Sequence, residues 1–440
     1  MKKFRIGLLP RIIIAIVLGI GTGFVMPEVV VRLFVTFNGL FSQFLGFIIP
    51  LIIVGLVTPA IADIGKGAGK MLVATTLMAY VATVLSGFLS FGVGDVVFPH
   101  LITKNISIEQ ISEAHGIEPF FTVAIPEPLN IMTALVMAFT VGLGLAHLKS
   151  TALRDAFVDL KDIIVKTIQA VILPLLPLYI FGIFMNMTHS GQVVHVLSAF
   201  MKVIVVIFIL HIFLLIFQFS VAGLVAKKNP FRLLRNMLPA YFTALGTSSS
   251  AATIPVTLRQ TVANGVDEGV AGFVVPLCAT IHLSGSTLKI VACALALMIM
   301  QGIPYDFQMF AGFIFMLGVT MVAAPGVPGG AIMAALGILS SMLGFDQNAQ
   351  ALMIALYIAM DSFGTACNVT GDGALALITT VVSARNRREE IPWCPTARRG
   401  RHLCAPESRR QGCRRLARLT PKDTASLRRR SCAYPQNLSC

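Results

Sequence analysis

The runs RIIIAIVLGIGTGFVMPEVVVRLFV, from Arg11 to Val35, and MKVIVVIFILHIFLLIFQFSVAGLV, from Met201 to Val225, constrain the fold more than any other feature. Each exceeds the ~20 residues that carry a helix across ~30 Å of hydrocarbon. Composition agrees, with 12% charged residues where a soluble domain carries about 25%. The chain therefore reads as an all-α integral membrane protein that crosses the bilayer many times. The opening MKKFR followed by an apolar run imitates a secretory signal. That run is long and lacks a small-residue cleavage pattern, so it reads as a first span.

The formal net charge of +14 is concentrated at one end. From Arg385 onward, fourteen arginines and Lys422 stand against only Glu389, Glu390, Glu407 and Asp423. The same tail holds Trp393 and Cys394, Cys404, Cys413, Cys432 and Cys440, at spacings that match no zinc pattern. Two readings fit residues 385–440: a polybasic segment for anionic lipid head groups, or an atypical terminus that forms no fold. The second is preferred. Cys278, Cys293 and Cys367 read as small buried residues, not disulfides.

Apolar segments fall near residues 11–34, 39–61, 71–98, 129–148, 162–187 and 197–226. Lysine and arginine bias sets their orientation. MKKFR, Lys66 with Lys70, Lys149 with Arg154 and Lys161, and Lys227 with Lys228, Arg232 and Arg235 fall on alternate loops. Those loops read as cytoplasmic, and so does the amino terminus. Residues 1–230 thus form six spans, residues 231–384 a second block, and 385–440 the tail.

The second block is apolar but interrupted. Residues 231–265 contain GTSSSAATIP, and residues 309–345 contain APGVPGGA. Broken backbone at membrane depth persists only where protein or a water-filled cavity satisfies it. Paired segments broken by glycine and proline point to a midplane binding site in a transporter. Each reads as a hairpin that leaves on the side it entered, with residues 268–302 and 349–384 as the seventh and eighth spans. Arg259 and RNRR at 385–388 then fall inside, which puts the carboxyl terminus in the cytoplasm. Serine hydroxyls and free helix amides there would hold an anionic group.

The last span, LYIAMDSFGTACNVTGDGALALITTVV, buries Asp361 and Asp372, and ionisable residues at that depth point to function. At ~100° per residue, Asp361, Thr365, Asn368 and Asp372 share one helix face, with ~16 Å between the aspartates. One carboxylate would suit a substrate ammonium and the other a hard cation. The alternative is structural, each aspartate paired with a buried base. In the seventh span, Gly285 between Ser284 and Ser286 reads as an unwound turn, with His282 and Lys289 at membrane depth. Lys289 has no route to the interface and needs a buried partner.

Through GTSSSAATIPVT, PLCATIHLSGS, GVPGGAIM and DSFGTACNVTGDG the chain resembles the dicarboxylate/amino acid:cation symporter family, the prokaryotic glutamate-transporter homologues. The resemblance implies eight transmembrane helices plus two re-entrant helical hairpins. It also implies a homotrimer in the bacterial cytoplasmic membrane, with a transport domain that slides as an elevator. By position it implies that Asp361 binds the substrate amine and Asn368 the α-carboxylate, with Ser249, Ser250 and Thr365 beside them. Asp372 would be a sodium-site carboxylate, with carbonyls from Cys278, His282 and Asn368. Tyr80 and Thr83 would serve another sodium site, and Gly326, Val327 and Pro328 would form the gate tip.

Four departures bear on substrate and ion. His282 and Ser284 stand where the resembling family has asparagine and aspartate, which removes a carboxylate from the second sodium site. Ser248 and Gly364 stand where acidic-substrate members keep an arginine. A neutral amino acid, with a larger side chain occupying the space above Gly364, is therefore favoured over a dicarboxylate. Lys289 would either restore the missing charge, less directionally than an arginine fork, or act as a tethered cation in place of sodium. Other classes fit less well. A passive channel would not concentrate solute. An intramembrane aspartyl protease would use Asp95, in GVGD, with Asp361, and the pair would have to share a proton at contact distance. Neither a phosphate-binding loop nor a nucleic-acid-binding pattern is present in the sequence.

Overall fold

The computed structural model describes residues 8–66, 70–102, 117–191, 193–324 and 329–389. The chain divides into two units, Met1–Val382 and Ser383–Cys440. Most of the basic tail lies outside the described residues. Among those described there is no strand.

The amino-terminal block comprises α1 (Leu8–Gly23), α2 (Glu28–Lys66), α3 (Lys70–Leu101) and α4 (Ile131–His147). It continues through α5 (Ala152–His189) and α6 (Val193–Ala226). The first boundary differs from the expected one. The 11–34 segment breaks before Pro27, and α2 runs unbroken through residues 35–38, the gap between the first two expected segments. Proline suits the entry to a helix because its missing N–H would lack a partner there anyway. Asn38 does not turn the chain, because its amide packs on α5. A Cβ at Gly182 would lie 2.7 Å from Asn38 Nδ2.

Helix α5 begins ten residues earlier than its apolar core and carries a π-helical turn at Ile168–Ile172. The cause is local: Pro174 has no N–H to offer the preceding turn, and the Leu173 N–H bonds to the Ile168 carbonyl. Beyond that turn α5 packs against α1. Their backbones approach at glycines, since a Cβ at Gly19 would lie 2.7 Å from the Phe181 carbonyl and one at Gly23 2.6 Å from Thr188 Cβ. Small residues allow such approach in lipid. Gly19→Leu is expected to cost about 1–3 kcal/mol through overpacking, read as a lower thermal midpoint. Gly21→Leu, which meets nothing within 4 Å, should leave the midpoint unchanged; equal effects would remove the argument.

The second block consists mostly of short helices. Helices α7 (Pro230–Thr247) and α8 (Ser250–Ala263) form one helix–turn–helix, α11 (Phe307–Val322) and α12 (Gly330–Leu343) another. The first turns at Ser248, which is left-handed at φ 50°, and Ser249 caps α8 by accepting from the Ala252 N–H. The second resumes at Gly329, at φ 74°, and the expected gate-tip residues Gly326, Val327 and Pro328 lie outside the described residues.

Between and after them come α9 (Glu268–Ile281), α10 (Ser284–Gln301), α13 (Gln347–Ala359) and α14 (Asp361–Glu389). The 268–302 segment thus breaks at His282–Leu283, not at Gly285, and the 349–384 segment is interrupted at Met360. Gly285 is helical and serves close approach: a Cβ there would meet Cys367 Cβ at 2.7 Å and the Gly364 carbonyl at 2.8 Å. Every residue of α10 from Ser284 to Met300 is buried, so this half-helix is the axis of the core. Among the described residues six stretches are long and apolar enough to cross a membrane: 28–62, 71–101, 152–189, 196–226, 268–301 and 361–382. Shorter apolar helices include 10–23, 136–147, 307–322 and 330–343.

Candidate functional site

The amino ends of α8, α10, α12 and α14 meet. Ser248 Oγ, at the turn before α8, lies 2.7 Å from Ser362 Oγ at the start of α14. The Gly329 N–H, at the start of α12, donates to Asp361 Oδ2 at 2.9 Å. The Gly285 N–H, in the first turn of α10, donates to Asn368 Oδ1 at 2.7 Å. Helix amino ends carry partial positive charge and free N–H groups, so their convergence favours an anionic group.

Asp361 and Lys289 form the first ionic pair there. Lys289 Nζ lies 3.5 Å from Asp361 Oδ1, donates to the Met360 carbonyl at 3.2 Å and sits 3.6 Å from the Tyr357 ring centroid. The lysine is 0% exposed. It has the buried partner that the sequence pattern demands. Its head fills the space over Gly364, where a Cβ would lie 2.6 Å from Lys289 Cε and 2.7 Å from Nζ. That leaves no room over Gly364 for a larger substrate side chain in this conformation, contrary to one of the expectations above. The cation over the ring adds attraction that grows with desolvation.

Asp372 and His282 form the second pair, with Nδ1 and Oδ1 2.9 Å apart. The structural alternative of the sequence reading, aspartates paired with buried bases, is therefore what both carboxylates show. Gln218 of α6 reaches the same cluster, with Nε2 3.2 Å from Ser284 Oγ and 3.5 Å from His282 Nε2. Ser86 of α3 donates to the Ser284 carbonyl at 2.8 Å. Asn368 lies between the two pairs. Its Oδ1 also takes the Ser286 N–H at 3.4 Å, and its Nδ2 donates to Ser286 Oγ, to which the Tyr357 hydroxyl also donates.

The other expected residues are less central. Thr365 bonds within its own helix, to the Asp361 carbonyl. Ser249 is spent as a helix cap, while Ser250 is buried in the first turn of α8. The Cys278 carbonyl accepts the His282 N–H that closes α9. The Tyr80 hydroxyl bonds to the Phe315 carbonyl on α11. Thr83 is buried near the Ser284 turn, by way of Ser86, and its hydroxyl has no hydrogen-bond partner among the described residues. The Gln218 carbonyl oxygen is likewise unpartnered. The orphaned Gln218 oxygen, packed against Gly371 beside Asp372, suits a hard cation, which takes oxygen ligands. Among the described residues no group of three or more His, Cys, Asp and Glu side chains gathers as it would for a transition metal. Gln218, Ser86 and Tyr357 escaped the sequence reading; Gln218, a lone amide in IFQFSV, carried the one visible signal.

Asp95 is exposed and accepts from the Tyr305 hydroxyl at 3.0 Å. Burial, and then the adjoining Asp95, push the Tyr305 phenol up to about 12, so it remains a donor. Asp95 shares none of these contacts with Asp361.

Half-helices that meet at paired charges inside an apolar bundle are the mark of a membrane transporter. The chain belongs to the sodium:dicarboxylate symporter family, whose family model matches residues 8–382. The serine/threonine transporter SstT of Acinetobacter baylyi is 26% identical over 385 residues, covering 84% of this chain and 95% of that protein. Its counterpart in Acinetobacter baumannii is 27% identical over 401 residues, covering 87% and 98%. Human excitatory amino acid transporter 2 is 29% identical over 242 residues, covering 54% and 41%. The family comprises transporters, which removes the protease reading of Asp95.

Proposed function

We propose that the chain is a secondary active symporter that imports a neutral amino acid, coupled to sodium, by an elevator movement of its half-helix block. The observation that carries this reading is the placement of Asp361, a carboxylate for a substrate ammonium, where four helix amino ends favour a substrate carboxylate. Asn368, Ser249 and Ser250 line the carboxylate side, and Thr365 sits on the same helix face. The absence of arginine at 248 and 364 supports an uncharged side chain over an acidic one or a dicarboxylate. The names of the SstT relatives, serine/threonine transporters, point the same way.

Asp372 takes part in sodium coupling together with the backbone at Cys278, His282 and Asn368, and Thr83 with Tyr80 lies toward the second ion. The two helix–turn–helix units are the re-entrant hairpins, completing eight spans. Gly326, Val327 and Pro328 close the outer gate. The assembly is a homotrimer in a bacterial cytoplasmic membrane with both termini inside.

Uptake of labelled neutral and acidic amino acids and C4-dicarboxylates into liposomes tests this, with sodium and proton gradients imposed separately. Sodium-driven concentration of a neutral amino acid is expected. Flux that neither saturates nor concentrates would favour a passive channel. Removing the carboxylate in Asp372→Asn should raise the sodium level for half-maximal uptake roughly tenfold or more, since charge-assisted contacts are the strong ones. An unchanged sodium dependence would exclude Asp372 from coupling.

A further inference from the structure

Resting on the reading of Asp361 as the amine site, the structure also constrains what occupies Asp361 when no substrate is present. Both its oxygens are taken by the chain itself, Oδ1 by the Lys289 ammonium and Oδ2 by the Gly329 N–H. The α12 arm of the second hairpin is thereby tied to a carboxylate that is already neutralised. Among the described residues Lys289 is the one lysine or arginine buried in the core. Its place is built for it: Gly364 leaves the volume, the Met360 carbonyl and the Tyr357 ring hold the head, and Ser286 orients Tyr357.

We propose that Lys289 is a tethered stand-in for the substrate ammonium, a specificity-determining residue that holds Asp361 while the site is empty. An entering substrate splits the pair, its ammonium going to Asp361 and its carboxylate to Lys289. The charge count sets the substrate class. A zwitterion adds one charge of each sign, so four buried charges form two pairs. An amine without a carboxylate, a carboxylate without an amine, or an acidic amino acid leaves one buried charge unpaired, which is strongly unfavourable. The nearest other base, His282, is already on Asp372. The site therefore takes zwitterionic amino acids with uncharged side chains, and it selects by counting charges more than by fitting shape.

Competition for labelled L-serine on the purified full-length protein tests this with L-serine methyl ester as the amine, glycolate as the carboxylate, and L-aspartate. In the wild type, L-serine is expected to compete roughly tenfold or more better than the other three. Lys289→Gln should weaken L-serine and gain the methyl ester by a similar factor, and Asp361→Asn should do the converse and gain glycolate. A gain of binding cannot arise from misfolding, and either variant suffices if the other does not fold. Wild-type selectivity in whichever variant folds would overturn the proposal while leaving the transport reading in place. Binding of L-serine with the predicted swaps but no concentrative uptake would overturn the transport reading alone. A wild type that binds none of the four overturns both.

Discussion

Gly364→Ala is expected to cut amino acid uptake roughly tenfold or more, because the added methyl group must expel the Lys289 head. The new Cβ would lie 2.6 Å from Cε and 2.7 Å from Nζ, closer than real side-chain atoms approach. A lysine tip usually yields cheaply to such a clash. This one is enclosed and cannot withdraw without leaving Asp361, the Met360 carbonyl and the Tyr357 ring together. The cost is thus that of separating a buried ion pair, about 3–5 kcal/mol when one partner is removed outright. The decisive measurement is a double-mutant cycle with Lys289→Ala. Once the lysine is short, the methyl group meets open space and should change uptake less than about twofold. The same loss in both backgrounds would show that Gly364 acts through something other than Lys289.

Asn368→Ala should be more damaging to the fold. No side chain caps the start of α10 at Leu283, and Asn368 from α14 does that work across the break by accepting the Gly285 and Ser286 N–H groups. An orphaned buried donor costs about 1–3 kcal/mol, and two of them lie within one turn. The Asn368 amide also fixes Ser286 Oγ, which takes the Tyr357 hydroxyl and so sets the ring under Lys289. Both the thermal midpoint and uptake should fall, with hydrogen exchange faster at Gly285 and Ser286 than in the parent. A variant as stable as the parent would mean that the α10 start is held by other groups.

Much of this arrangement is legible in the sequence, for identifiable reasons. Serines in GTSSS and prolines in APGVPGGA cannot continue a lipid-facing helix, so both interruptions show in residue type alone. Asp361 and Asp372 stand out because charge inside hydrocarbon is expensive. What the sequence hides depends on the neighbour across a gap. Gly285 has the composition of an unwound turn, yet it is helical because Cys367 and Gly364 press against it. Asn38–Gly39 has the composition of a loop, yet Gly182 gives Asn38 a place within a helix. The Met360 interruption carries no glycine or proline at all. Ser86, Gln218 and Tyr357 join the site from three other helices, and a hydrophobic pattern does not tell which faces meet.

The pairing of Lys289 with Asp361 also has an electrical consequence. Displacing one elementary charge across a membrane involves about 2.3 kcal/mol for every 100 mV. In the proposed elevator movement, an isolated Asp361 carboxylate would bring that work into each return of the empty site. A carboxylate and an ammonium that travel together contribute none, and a zwitterion shared between them adds none. From this pair, then, the empty and the loaded site look alike to the membrane potential, and under the proposed sodium coupling the voltage dependence of transport falls to ions bound toward Asp372.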